Sequence, residues 1–139
     1  MITPELWTAY TETDYVVDAD PSITLKVGAT STALDELLGK KRSVCAAFIT
    51  AWNPDSKQLP IDENNRRQAE LLEELKSRGL TVIGGRGRHP SNGWEAEESM
   101  LVFDLQVEAA RKLCKKYGQL AFVVANRFGP VTLIETAAG

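Results

Sequence analysis

The side chains able to do chemistry gather around Phe48-Ile49-Thr50-Ala51-Trp52-Asn53-Pro54-Asp55-Ser56, where an apolar run stops in a tryptophan, an asparagine, a proline and small polar residues. Trp52 can stack on a planar group, Asn53 can read a polar edge with one donor and one acceptor, and Ser56 adds a hydroxyl. Turn chemistry accounts for the same residue types, so the stretch reads either as a well-made turn or as part of a binding loop. Downstream, Gly84-Gly85-Arg86-Gly87-Arg88-His89-Pro90-Ser91-Asn92-Gly93 holds four glycines, two arginines and the only histidine. Glycines let backbone N–H groups approach an anion and arginine grips one bidentately, so an anion loop built on Arg86 and Arg88 is one reading and an exposed hairpin loop the other. No Gly-Lys-Ser/Thr follows and no helix opens directly after, which excludes the P-loop and dinucleotide fingerprints. One histidine without H-x-x-x-H spacing leaves no expected metal site, and no cofactor motif is present.

These residues need a scaffold. Val44 to Ile49 is apolar without alternation, as expected of a strand covered on both faces. Residues 60–78 read as a helix with acids in the first turn, bases in the last and Gly79 as stop. Its buried stripe of Leu71, Leu72 and Leu75 continues into Asn64 and Gln68, which either tie down the preceding loop or touch a ligand. Residues 80–83 form a strand, and Trp94 to Ser99 leads into another through Phe103. Period 2 puts Glu95, Glu97 and Ser99 on one face and Glu98 and Met100 on the other. An inward acid needs a partner, and Arg86 or Arg88 is nearest in sequence; a general acid or base is the functional alternative. Residues 105–117 are a second amphipathic helix, followed by Gly118-Gln119 and the strand 120–125.

The order strand, helix, strand, strand, helix, strand from Val44 to Ala125 predicts an α+β fold: a ferredoxin-like βαββαβ core with a mainly antiparallel sheet. Additions are an N-terminal helix opened by Thr3-Pro4-Glu5, a hairpin (15–18 and 23–27), a short helix carrying Leu34 and ending at Gly39, and a C-terminal strand 131–135 before a frayed tail. In this topology one end of the sheet collects 52–56, 86–97 and 118–119. Asn53, Ser56, Asn64, Gln68, Trp94, Glu97 and Gln119 are therefore expected around one pocket or buried polar network.

A chain of 139 residues, 43% hydrophobic and 25% charged, fits one domain over 1–139. The net charge of −3 gives no global attraction to nucleic acid or anionic membrane, so neither is an expected partner. Lys40-Lys41-Arg42 is too short a basic run to change that. Cys45 and Cys114 lie apart in apolar patterns, and no signal peptide or spanning run is visible, so a cytoplasmic protein is expected.

The set Ile49-Thr50-Ala51-Trp52-Asn53-Pro54, Glu63-Asn64, Trp94 with Glu97 and Ser99, and Gly118-Gln119 before Ala121 resembles a bacterial domain-of-unknown-function family of small stand-alone proteins. The resemblance marks Asn53, Ser56, Asn64, Trp94, Glu97 and Gln119, departs from the pattern at Leu120 and Glu98, and implies no activity. The residues themselves support three expectations. One is a small anionic or nucleotide-like ligand, with Trp52 or Trp94 stacking, Arg86 or Arg88 on the anion, and Asn53, Asn64 and Gln119 on polar edges. Another is a protein-interaction module anchored by exposed tryptophans. The third is a metal-independent nuclease using His89, Glu97 and an arginine.

Overall fold

The computed structural model describes residues 2–90 and 95–137. Thr3 caps the first helix, α1 (Pro4–Glu12), by accepting the Leu6 N–H, and a hairpin of β1 (Asp14–Val17) and β2 (Ile23–Leu25) follows. Helix α2 (Thr32–Lys40), capped by Ser31, leads into β3 (Cys45–Ile49). A 3₁₀ turn (Pro54–Ser56) separates β3 from α3 (Ile61–Ser77). The remainder is β4 (Val82–Arg88), β5 (Glu97–Phe103), α4 (Val107–Lys116), β6 (Ala121–Asn126) and β7 (Thr132–Glu135).

All seven strands form one sheet in the order β2-β1-β4-β5-β3-β6-β7, with every neighbouring pair antiparallel. The fold is thus α+β, and β3 lies inside the sheet between β5 and β6, as its apolar sequence predicts. The sheet curls until its two edges meet: Val27 bridges Val131 in parallel, and Gly28 N–H donates to the Val131 carbonyl at 2.8 Å. Inside the curl Tyr15, Val17, Leu25, Leu34, Leu38, Phe48, Leu101, Phe103 and Val123 make one core, to which the hairpin and α2 both contribute. The outer face carries Ala47, Ile49, Met100, Val102 and Phe122 against Leu71 and Leu75 of α3 and Leu113 and Cys114 of α4, so these two helices cover one face together. Two stacked apolar layers explain why β3 is buried along its whole length.

Four sequence expectations are corrected. The glycine–arginine stretch is a regular strand, β4, because β1 and β5 pair with it on both sides. Gly39 lies inside α2, and the chain turns one step later through Arg42, at φ 54. A Cβ on Gly39 would fall 2.5 Å from the Arg127 guanidinium, so glycine serves close packing there rather than a left-handed stop. The tail is not frayed at Thr136, which is buried, with its N–H on the Leu120 carbonyl. Val44 is 69% exposed rather than part of the buried strand.

Candidate functional site

Strand β3 delivers the Trp52–Ser56 loop to the end of the sheet where β4 finishes and β5 and β6 begin. The loop bends sharply: Asn53, Asp55 and Ser56 all have φ between 46 and 56, left-handed values that ordinary side chains resist. Its fixation comes from side chains reaching in from other elements. Asn64, on the first turn of α3 and 2% exposed, accepts the Asn53 N–H at 2.8 Å and returns its own amide to Asn53 Oδ1 at 2.7 Å. One turn on, Gln68 Oε1 accepts the Ala51 N–H at 2.9 Å. Arg67 donates to the Ala51 carbonyl and to that of Tyr117, and Gln119 Nε2 donates to the Trp52 carbonyl at 2.9 Å. Gly118, at φ 73, sits so close to Pro54 that a Cβ would fall 2.8 Å from the ring.

Asn53 then passes the network to β5: its Nδ2 donates to Glu97 Oε2 at 2.9 Å. Burial pushes the Glu97 carboxyl above its ordinary pKa of 4.5, and the Asn53 hydrogen bond opposes that shift. Asn53, rather than Arg86 or Arg88, is thus the partner of the inward carboxylate. The register explains why: Arg86 lies opposite Glu98 and Gly87 opposite Glu97, so both arginines point to the outer face while Gly85 and Gly87 point in. There Arg86 pairs with Asp18 at 3.1 Å and Arg88 approaches Asp14 at 3.9 Å.

The inner face has a gap at this end. Tyr15, Gly87 and Glu97 are successive neighbours across β1, β4 and β5, and the middle residue has no side chain. The gap is part of a cavity of about 110 Å³ whose lining includes Tyr10, Tyr15, Phe48, Gly87, His89, Glu97, Ser99 and Gln119. An added Cβ on Gly87 would meet only Thr13 Cγ2, at 3.7 Å, so nothing in the packing excludes a larger residue. Gly85 differs, since a Cβ there would be 2.4 Å from the Val16 carbonyl and 3.0 Å from the Phe48 ring. Burial raises the pKa of both phenols, and the Glu97 charge adds to the shift. His89 sits on the rim with Nε2 3.1 Å from Glu12.

Of the residues expected at this end, Asn53, Asn64, Gln68, Glu97 and Gln119 share the network or border it, and Ser56 instead shares a hydrogen bond of 3.3 Å with the hydroxyl of Tyr10, which lines the cavity. Trp52 is 8% exposed, its ring buried beside an outer recess of about 470 Å³ shared with Asn53, Asn64 and Glu98. A buried Trp52 is no exposed anchor. Trp94 lies outside the described residues. Tyr10, Tyr15, Ser99 and Thr50 line the cavity although the sequence did not mark them as site residues; their signal was the period-2 parity shared by Glu97 and Ser99, and the inward Gly85 and Gly87 between them and β1. No three His, Cys, Asp or Glu side chains among the described residues cluster as a metal site, and no helix among them is long and apolar enough to cross a membrane.

A small α+β domain with a fixed polar loop and a carboxylate-bearing cavity beside it is the class this geometry defines. The chain belongs to the family described as "protein of unknown function (DUF3293)", which matches residues 49–122, the segment from the end of β3 to the start of β6. No curated protein matches the chain, and no solved structure does.

Proposed function

We propose that this chain is a small-ligand-binding domain whose ligand occupies the inner-face cavity over Gly87, with Glu97 as the recognising group. The observation that carries the reading is the juxtaposition of a half-buried carboxylate, fixed on one oxygen by Asn53, with a cavity opened by a glycine that packing does not require. Cavities with a few convergent polar groups on an apolar floor are the usual form of small-molecule sites, and carboxyls raised by burial concentrate in them. The lining favours a polar, nucleobase-like head over an anion, because Arg86 and Arg88 face the opposite side. The scaffold is read as a ferredoxin-like core of β3-α3-β4-β5-α4-β6, which the order β4-β5-β3-β6 supports. Two unlinked buried thiols support a cytoplasmic setting.

The test is a variant that closes the cavity without harming the fold. Gly87→Ala places a methyl group in the gap, and its stability should be unchanged or raised by about 0.4–1 kcal/mol, as expected for glycine to alanine at a compatible backbone. A thermal-shift and calorimetric screen of nucleosides, nucleotides, amines and amino acids finds ligands for the wild type, and Gly87→Ala should lose them. Equal binding by both proteins would refute the cavity as the site. A second reading, an interaction module, is favoured by the far end of the sheet. There Val44 (69% exposed) and Phe128 (71% exposed) lie close together, joined through the Arg127 N–H on the Val44 carbonyl at 2.8 Å.

A further inference from the structure

The hydrogen-bonding state of the cavity lining narrows the ligand. Among the lining side chains, the hydroxyl of Tyr15 donates to the Tyr10 carbonyl at 2.6 Å, that of Thr50 to the Glu98 carbonyl at 2.5 Å, and that of Ser99 to the Glu97 carbonyl at 3.1 Å. Thr13 donates to the Ala9 carbonyl at 2.7 Å, and Tyr10 shares a hydrogen bond with Ser56 at 3.3 Å. The Gln119 amide donates to two carbonyls, those of Trp52 at 2.9 Å and Tyr117 at 3.5 Å. The hydrogens of the Tyr15, Thr50, Ser99 and Thr13 hydroxyls and of the Gln119 amide are therefore already committed to the protein, while the Tyr10–Ser56 pair fixes no donor and His89 stands on the rim against Glu12. The acceptors are in the opposite state. Among the described residues, no hydrogen bond reaches Glu97 Oε1 or Gln119 Oε1, and the oxygens of Tyr15 and Ser99 keep lone pairs. Among the described residues no lysine or arginine lines the cavity and His89 stands at its rim, whereas Glu95 and Glu97 both line it.

Resting on the reading of this cavity as a ligand site, we infer that its ligand presents hydrogen-bond donors: a planar N–C–N edge, as in a guanidinium, an amidinium or the N1–H and N2–H edge of a guanine. A wall this rich in acceptors, with donor-capable side chains among the described residues confined to Tyr10 and to His89 on the rim, suits a phosphate or carboxylate poorly, and a carboxylate placed there would face Glu97 across low-dielectric space. A donor edge would instead satisfy Glu97 Oε1 and Gln119 Oε1, with charge-assisted hydrogen bonds to the carboxylate. Size agrees: at about 30 Å³ per water, the volume holds about four waters or one small planar head. Tyr15 and Phe48, in edge-to-face contact at 5.4 Å, supply aromatic walls for such a plane.

The experiment is titration of the full chain, followed by amide and side-chain NMR of Tyr15, Glu97 and Ser99, with four probes: methylguanidinium, guanosine, acetate and inorganic phosphate. Methylguanidinium and guanosine separate a cationic source of the donor edge from a nucleoside source. The inference requires that at least one of them shift these resonances saturably, and that Glu97→Gln weaken it by about tenfold or more, as loss of a charge-assisted hydrogen bond does. Gly87→Ala supplies the second variant and should abolish the same shifts. Acetate or phosphate binding at these residues, with no response to either donor probe, would overturn the donor inference and leave the ligand site standing. No response to any of the four probes would overturn the donor inference, and a wider ligand screen that fails to distinguish Gly87→Ala from wild type would remove the site as well.

Discussion

Replacing Asn64 by alanine should destabilise the fold by about 1.5 kcal/mol. The amide closes a reciprocal pair with Asn53, and both residues are buried, at 2% and 8% exposure. Truncation leaves the Asn53 N–H without an acceptor, and a buried donor in that state costs about 1–3 kcal/mol. The Asn53 Oδ1 atom keeps the Leu59 N–H at 3.1 Å, so one orphaned group rather than two enters the estimate. Alanine returns about half a kcal/mol through helix propensity, since position 64 is on α3. For a chain of this size about 3 °C accompanies each kcal/mol, which gives a drop of about 5 °C in the unfolding midpoint. Circular-dichroism melts and urea titrations measure it, with Asn65→Ala as control. That neighbour is exposed, shares the same helix and should change stability by less than about 0.5 kcal/mol. If both variants unfold within about 0.5 kcal/mol of each other, the loop is not held by the Asn53–Asn64 pair.

Gly118→Ala combines a left-handed backbone with a contact 2.8 Å from Pro54 and should destabilise by about 2 kcal/mol in the same melts; a neutral result would contradict the close packing of the loop. Because burial raises the Glu97 pKa in the folded state, the folded chain holds that proton more tightly than the unfolded one, so the residue's contribution is most favourable below about pH 4.5 and is lost as pH climbs through the raised value. Glu97→Gln should therefore gain stability relative to wild type from pH 4 upward, and a gain that shrank with pH would refute the shift. The Cys114 thiol is buried with its pKa pushed up to about 12, so it should resist alkylation at pH 8 in the native protein and react on unfolding. Fast native labelling of Cys114 in a peptide map would contradict that burial. Deleting residues 1–29 removes Tyr15, Val17, Ile23 and Leu25 from the inner core and should abolish the cooperative transition, which an unchanged melt would contradict.

The order of elements was legible because each long amphipathic run carries its own period: Leu71 and Leu75 on α3, Leu113 and Cys114 on α4. From that order the meeting of Asn53, Asn64, Glu97 and Gln119 at one end followed by topology. What escaped was decided by neighbours distant in the chain. Glycine-rich composition reads as loop, and only β1 and β5 on either side make Val82–Arg88 a strand. Arg86 was the nearest base to Glu97 in sequence, yet parity places them on opposite faces, and the carboxylate found an amide delivered from β3 instead. Tyr10 and Tyr15 carried no site signal of their own, because the packing of α1 against the inner face and the pairing of β1 with β4 are properties of the folded sheet. Gly85 and Gly87 are alike in sequence, but Phe48 and the Val16 carbonyl press on the first and leave the second open.

The bridge between Val27 and Val131 also bears on how this chain behaves in company. Strands β2 and β7 end the ladder and would otherwise each present unpaired N–H and C=O groups, the template on which sheets of separate molecules join. The curl turns these two edges toward each other, and the reciprocal bonds Gly28 N–H to Val131 and Val131 N–H to Ala29, at 2.8 and 2.9 Å, occupy part of both. Growth into edge-to-edge polymers therefore has to begin by opening this seam. Its short connection, Asn126 to Val131, turns through Phe128 at φ 72, so the protection against self-association rests on one strained corner as much as on the two strands it joins.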